Sequence, residues 1–403
     1  MPQSFNCETL KKVSFLVGNE ETLLNMRSTP AKQPFSEDIA QFLNEVSKTV
    51  MNNPASKAYS DVITFAFWIR KGSINQIKEK FIPKDENIRL GRGIAFHIAP
   101  SNVPVNFAYS LITGLLTGNA NIVRIPSKDF PQVKIITDSI NKVLETNETM
   151  KPYIVLVRYE RDKEINDCFS SIADTRIIWG GDNTIAELRK YELPPRSSEI
   201  TFADRYSLAV IDSDEYIKTE NKDRIAQDFY NDTYFTDQNA CTSPRIVIWT
   251  GKEKQEAQNI FWEKLHKLVK EKYTFQPVHG INKLTSSFLT AVNFPNSKIE
   301  AHEDNLIVRI KLSELTDNIM DFKDNCGYFF EFDCNNIMEL KPICDNKRCQ
   351  TIGIYGDKNI LKPLILSGIK GVDRVVPIGK TMDFELIWDG YDLISMLTRI
   401  VKL

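Results

Sequence analysis

From Ile94 onward the chain alternates short apolar runs with helical stretches, and this alternation restricts the fold more than any other feature. The runs 94–98, 120–125, 154–157, 177–179 and 207–211 sit among Gly, Pro and Asn residues, and helical spacing fills the gaps at 105–117, 131–145, 165–172 and 183–191. Strand and helix repeated in this way predict an α/β fold with a largely parallel sheet, which binds ligands at the carboxyl ends of its strands. A second strand-rich stretch, at 245–249, 305–310 and 350–355 with helices near 253–273 and 358–366, predicts a second α/β lobe. Residues 1–85 carry helical periodicity at 37–46 and 62–82 and read as a helical N-terminal region. At 403 residues the chain exceeds what one core usually organises, and no Gly/Ser-rich linker interrupts it, so closely packed lobes are expected.

Composition excludes some partners. The formal net charge of -2 supplies no attraction for nucleic acid or an anionic membrane. No segment approaches the roughly 18 apolar residues of a membrane span. The first residues show no basic segment followed by an apolar run, so the expected location is the cytoplasm. Seven scattered cysteines are read as thiols rather than disulfide partners.

One of them stands in a setting suited to chemistry. Tyr234-Phe-Thr-Asp-Gln-Asn-Ala-Cys-Thr-Ser-Pro-Arg245 places Cys241 among small polar residues immediately before an apolar strand. Such junctions expose a nucleophile without burying unpaired backbone, although most lone cysteines are small core hydrophobes. In Gly91-Arg-Gly-Ile-Ala-Phe-His-Ile-Ala-Pro-Ser-Asn-Val-Pro-Val105, two prolines flank Asn102, which suits either an oxyanion donor or a helix cap. Thr117-Gly-Asn119 is a tight turn into the strand that ends at Arg124, Ser127 and Lys128, and Gly180-Gly181 joins a strand to a helix start able to receive a phosphate. The aromatics Phe96, Phe107, Tyr109, Trp179, Phe235 and Trp388 are candidates for an acyl passage, though such residues more often form core.

In order and spacing, Pro100-Ser-Asn-Val-Pro104, Thr117-Gly-Asn119, Gly180-Gly181 and Cys241 resemble the aldehyde dehydrogenase superfamily over roughly residues 90–250. Within it, Asp237-Gln-Asn-Ala-Cys-Thr-Ser-Pro244, Gln350-Thr-Ile-Gly353, Gly371-Val-Asp-Arg-Val-Val-Pro-Ile-Gly379 and Trp388-Asp-Gly390 resemble the LuxC family, the fatty acyl reductases of bacterial bioluminescence operons. The resemblance implies a Rossmann-type cofactor domain at 86–208 and a catalytic domain at 209–370 bearing the nucleophilic cysteine. It implies a segment 371–403 returning to the cofactor domain or to an oligomer interface, with Phe384–Trp388 as part of an extended assembly strand. It implies reduction of fatty acyl-CoA or an acyl-protein to an aldehyde through an acyl-cysteine, with the Asn102 amide and the Cys241 backbone N–H on the oxyanion. An acyl-protein synthetase partner, a homo-oligomer and a mechanism without metal follow from the same likeness.

Departures from the superfamily sharpen this expectation. Thr201 stands where aldehyde-oxidising members carry a glutamate base, and a threonine does not abstract protons near neutral pH, so hydrolysis of the acyl-enzyme is disfavoured. Nearby Asp204 is a carboxylate close enough in sequence to stand in. The ribose-contact positions fall on Arg124 and Ser127; Ser127 between Arg124 and Lys128 accepts a 2'-phosphate that a glutamate would repel, which points to NADPH with NADH as the alternative. Asp182 is expected to cap the helix after Gly180 and Gly181, and Ala301-His-Glu-Asp304 is expected to be a solvated turn rather than a metal site. The competing activities are an acyl phosphate reductase of the glutamyl phosphate reductase type, a non-redox acyl transferase and a scaffold.

Overall fold

The computed structural model describes residues 7–101 and 103–403. Its contacts divide the chain into two units, one running to Ala203 and taking back Leu386–Leu403, the other Asp204–Glu385.

The first unit contains β1 (Ser14–Val17), β2 (Ile88–Gly91), β3 (Ile94–Ile98), β4 (Ala120–Arg124), β5 (Ile154–Arg158), β6 (Thr175–Trp179) and β7 (Ser198–Phe202). Its main sheet has the order β1-β5-β4-β3-β6-β7. β3 to β7 pair in parallel, and every residue of β3 and β6 is buried, as continuous apolar runs in a sheet covered on both faces should be. The chain leaves β3 through β4 to β5 and then returns to the far side of β3 for β6. That reversal makes the loops after β3 and β6 the topological switch point.

The N-terminal region is not helical throughout. Ser14-Phe-Leu-Val17 forms an antiparallel edge strand on β5, with an irregular register between Phe15 and Val17; so short an apolar run has too little periodicity to reveal its type. The helices that follow behave as the periodicity predicts. Glu37–Asn52 buries Ile39, Phe42, Leu43, Val46 and Val50 and packs on Asn106–Leu116 and Pro131–Leu144. Asn106–Leu116, held between that helix and the sheet, buries Phe107, Leu111, Ile112, Leu115 and Leu116.

The second unit holds β8 (Tyr206–Asp212), β9 (Pro244–Thr250), β10 (Lys298–Ala301), β11 (Val308–Leu312), β12 (Tyr328–Asp333), β13 (Cys349–Tyr355) and β14 (Arg374–Pro377) in the order β10-β11-β12-β9-β8-β13-β14. All pair in parallel except the edge strand β10. One face packs Val247, Trp249 and Phe329 against Tyr216, Phe229, Phe261 and Trp262 from helices, and the other packs Ile246, Ile248 and Phe330 against Ile319, Leu340, Ile343 and Leu364. The strand expected at 305–310 begins later, because Asn305 takes a left-handed φ of 55° and Asp304 accepts the Leu306 N–H at 3.1 Å, closing a turn first. β12 and the helix Pro277–Asn293 were not evident in the sequence pattern.

The segment 384–388 is not an extended assembly strand. β15 (Ile387–Trp388) and β16 (Tyr391–Asp392) form a two-residue ladder, because Asp389 and Gly390 both take positive φ and reverse the chain. β17 (Thr398–Val401) instead pairs antiparallel with β2 inside the first unit.

Candidate active site

Cys241 lies at the amino ends of the strands of its sheet, on a turn closed by the Ser243 N–H donating to Ala240 O at 3.0 Å, and it is exposed. The turn is fixed from several sides. Ser207 Oγ, at the start of the neighbouring strand β8, donates to Cys241 O at 2.7 Å. Asp237 and Gln238 are consecutive residues with left-handed φ of 51° and 59°. The fully buried Gln238 amide compensates for that strain: it donates to Pro244 O and Tyr328 O at 3.0 and 3.1 Å and accepts the N–H groups of Gly327 and Tyr328. The Arg245 guanidinium donates to Gln238 O, Asp324 O and Asn325 Oδ1. Tyr273 OH donates to Asp237 Oδ1 at 2.6 Å, and Thr242 Oγ1 donates to the Met382 sulfur at 3.1 Å. The 379–381 backbone beside Met382 is held in turn by buried Asp232, which accepts the Gly379 and Thr381 N–H groups. Burial pushes Asp232 up to about 7 despite those donors.

The cofactor candidates line the carboxyl end of the first unit's sheet. Arg124 ends β4, donates to Tyr159 O at 3.3 Å and lies over the Tyr159 ring at 4.6 Å. Ser127 and Lys128 follow it and are exposed. Arg158, a basic strand end that the sequence reading passed over, donates to Pro126 O at 3.1 Å and meets Asp129 at 3.5 Å, fixing this loop and adding a third cation near Ser127. After β6, Gly181 occupies the N-cap position of Asp182–Leu188, so Asp182 is the first helical residue rather than the cap. Its carboxylate then complements the helix N-terminus directly. A Cβ at Gly181 would meet nothing within 4 Å, whereas one at Gly180 would lie 3.1 Å from Thr184.

Asn102 lies outside the described residues; the helix that follows it starts after Val105, which makes no side-chain cap. Beneath the loops that follow β3 and β6 runs a buried polar chain. Trp179 Nε1 donates to Ser110 Oγ at 3.0 Å, Ser110 Oγ lies 2.7 Å from His97 Nδ1, and His97 Nε2 lies 3.0 Å from Asn121 Oδ1. The Asn121 amide donates to Asn119 O, so its oxygen accepts from His97, which places the imidazole proton on Nε2 and the Ser110 proton toward Nδ1. Burial lowers His97 to about 4, and it stays neutral. Asn119 of the Thr-Gly-Asn turn accepts the N–H groups of Arg92 and Gly93 and donates to Leu397 O at 3.0 Å, an architectural role.

Thr201 lies near the end of β7, and Asp204 is paired with Lys323 at 3.4 Å and Arg348 at 3.3 Å. Of the candidate passage residues, Phe96 and Phe107 are core and Trp179 stacks on Phe202 at 3.7 Å; Phe235, six residues before Cys241, is 48% exposed. Among the described residues no three His, Cys, Asp or Glu side chains gather as a metal site requires. His302 of the 301–304 turn stacks on His266, which meets Asp304 at 2.7 Å. No helix of the described residues is long and apolar enough to cross a membrane.

A family model described as Acyl-CoA reductase (LuxC) matches residues 75–402. The chain is 23% identical over 374 residues to a long-chain acyl-protein thioester reductase of Aliivibrio fischeri, covering 91% of this chain and 74% of the relative. It is 24% identical to the Photorhabdus luminescens protein of that name, covering 81% and 66%, and 26% identical to long-chain acyl-protein thioester reductase 2 of Photobacterium leiognathi, covering 82% and 68%. Among solved structures it resembles aldehyde dehydrogenase 21 of Physcomitrella patens in complex with succinate, with a TM-score of 0.66 at 12% identity over 94% of this chain and 88% of that one. An indole-3-acetaldehyde dehydrogenase complexed with NAD+ aligns with a TM-score of 0.67 at 10% identity over 94% and 87%. These structures establish an aldehyde dehydrogenase fold, and the family match over most of its length means that the chain belongs to the acyl-CoA reductase (LuxC) family.

Proposed function

We propose that this protein reduces an acyl thioester to an aldehyde, with Cys241 as nucleophile and NADPH as reductant. The observation that carries this reading is an exposed cysteine on a turn fixed by Ser207, Gln238 and Arg245, in a chain matched to the LuxC family along 75–402. The Cys241 thiolate attacks the thioester carbonyl, the carrier thiol departs with a proton, and the acyl group remains on Cys241 Sγ. Asn102 keeps its role as oxyanion donor in the proposal; losing such a donor costs roughly 100- to 1000-fold in rate elsewhere. NADPH, when bound, supplies the hydride that brings the acyl carbon to the aldehyde level, and cleavage of the C–S bond returns Cys241 to the thiolate.

The residues at the carboxyl end of β4, β5 and β6 fit a phosphorylated dinucleotide. Gly180 and Gly181 would receive the pyrophosphate, with open space at Gly181 where a side chain would intrude. Arg124, Ser127 and Lys128, with Arg158 close by, would hold the 2'-phosphate. Thr201 has no carboxylate to activate water, and the Asp204 carboxylate is engaged by two cations, which keeps the acyl-cysteine for reduction rather than hydrolysis. Arg245 supports a thioester over an acyl phosphate, because this cation of the nucleophile loop is buried and bound to its own backbone rather than presented to a phosphate.

The relatives' names point to a protein-borne acyl group, with an acyl-protein synthetase as the proposed donor. The proposed setting is the cytoplasm, where reduced thiols persist; none of the six described cysteines is in a disulfide. The test is NADPH consumption and aldehyde release with a panel of acyl-CoAs, an acylated carrier protein and an acyl phosphate. Thioesters should be reduced, NADPH should outperform NADH, and Cys241→Ala should lose all turnover together with the hydroxylamine-labile acyl label formed without NADPH. No consumption with any thioester, or equal consumption by Cys241→Ala, would sink the proposal.

A further inference from the structure

The helix Pro277–Asn293 buries polar positions, Lys283, Ser287 and Thr290. Lys283 is 1% exposed, and three backbone carbonyls receive its ammonium: Asn305 O and Cys326 O at 2.6 Å each and Leu306 O at 3.4 Å. The Phe275 ring covers it at 4.9 Å. A lysine has three donors, and so deeply buried an ammonium persists only where acceptors meet them. Burial lowers Lys283 to about 8, which leaves it protonated at neutral pH. On the same helix Ser286 Oγ donates to Asp324 at 2.7 Å, and Thr290 Oγ1 shares a hydrogen bond of 2.9 Å with Tyr328 OH. The helix therefore grips the segment 324–328 at Asp324, Cys326 and Tyr328.

That segment forms one wall of the Cys241 loop. Cys326 N–H donates to Asp237 O at 3.2 Å, Asn325 Nδ2 donates to Asn239 Oδ1 at 2.7 Å, and the Gly327 and Tyr328 N–H groups meet the Gln238 amide oxygen. Arg245 reaches Asp324 O and Asn325 Oδ1 from the strand that follows the cysteine. The backbone of this cluster is strained. Among the described residues seven non-glycine residues take a left-handed φ, and four of them are here: Asp237, Gln238, Asn305 and Cys326. Strain of this kind persists where the surroundings over-determine it, and it gathers at functional sites. The two short bonds from Lys283 end on the carbonyls of two of those four, Asn305 and Cys326. An apolar side chain of the same length has no donor for either.

We propose that Lys283 is a positioning residue for Cys241: it holds Cys326 in its left-handed conformation, and through the Cys326 N–H on Asp237 O it sets where the thiol meets an acyl carbonyl. This rests on Cys241 as the nucleophile. Lys283 acts through the backbone of the two loops rather than on the sulfur. The same role accounts for a helix whose inward side chains are polar, since they hold a loop instead of filling a core.

The variant Lys283→Met, which stays unbranched and loses the donors, tests this in three measurements. Hydrogen exchange needs no substrate: the bonded amides of Asp237, Gln238, Asn239 and Ser243 should exchange several-fold faster than in the wild type, while β8 and β13 keep their protection. Acyl transfer from a fatty acyl-CoA to Cys241 should slow by about 100-fold, the loss expected of a nucleophile misplaced by ~1 Å. Alkylation of Cys241 by iodoacetamide, which asks for no fixed geometry, should stay near the wild-type rate. Wild-type exchange in the folded variant overturns the proposal, and so does acyl transfer at the wild-type rate. Alkylation that falls as far as acyl transfer also overturns it, because Lys283 would then act on ionisation of the thiol rather than on its place. If Lys283→Met does not fold, Asn325→Ala, which removes the half-buried bridge to Asn239 and Arg245, must show the same pattern, and wild-type behaviour there refutes the route. A wild-type protein whose Cys241 is alkylated but never acylated would count against the proposed activity alone, and hydrogen exchange would still decide the role of Lys283.

Discussion

His97 is fully buried with both ring nitrogens hydrogen-bonded, and burial lowers it from 6.5 to about 4. The unfolded chain then holds the proton more readily between those values, so this residue's contribution is present above pH 6.5 and is lost as pH falls toward 4, by about 3 kcal/mol in full. Asp232 has the opposite sign. Burial raises it from 3.8 to about 7, the folded chain holds the extra proton, and its contribution is lost as pH rises through 7. In urea titrations, the penalty of His97→Gln relative to wild type should shrink between pH 6.5 and 4, while that of Asp232→Asn should grow as pH falls below 7. Penalties that stay constant with pH would refute both assignments. The junction that holds Cys241, a polar loop entering an apolar strand, was legible because it is continuous in sequence. The His97 chain was not, since Ser110, Asn121 and Trp179 converge only once β3, β4 and β6 and the helix after β3 are assembled.

The helix Asn106–Leu116 approaches the sheet more closely than its apolar content implies. A Cβ at Gly114 would lie 1.9 Å from Asn121 Oδ1 and 3.0 Å from His97 Nε2. Gly114→Ala, which in an exposed helix would stabilise by up to ~1 kcal/mol, should here destabilise by roughly 1–3 kcal/mol by breaking the His97–Asn121 bond. Thermal melts of the two proteins measure the sign directly, and a higher melting temperature for the variant would contradict the close approach. β3 was readable to the residue because a parallel strand buried on both faces is a continuous apolar run between breakers. β12 was passed over because Glu331 interrupts its aromatic run, and only the assembled sheet brings Trp249, Trp262 and Arg309 to that carboxylate. Pro277–Asn293 defeats pattern reading for a related reason: its buried positions are the polar Lys283, Ser287 and Thr290, while Ile281, Leu284 and Phe288 are exposed, so periodicity alone points the wrong face at the core.

The second unit is one continuous stretch, whereas the first closes only with Leu386–Leu403. Ties that hold that return include β17 on β2, Arg92 Nε to Met396 O at 2.6 Å and Asn119 Nδ2 to Leu397 O at 3.0 Å. A chain truncated after Glu385 should keep hydrogen-exchange protection in β8, β9 and β12 and lose it in β2 and around Asn119. Unchanged protection in β2 would show that the return does not support this unit. The same arrangement bears on how the protein is made. Arg92 and Met396 lie 304 positions apart, and at ~5–20 residues per second a ribosome separates their appearance by roughly 15–60 s. For that interval the nascent chain carries β2 as an unpaired edge, the kind of surface that recruits strands from neighbouring chains. Slower translation or crowded expression should therefore cost soluble yield through β2, independently of anything Cys241 does.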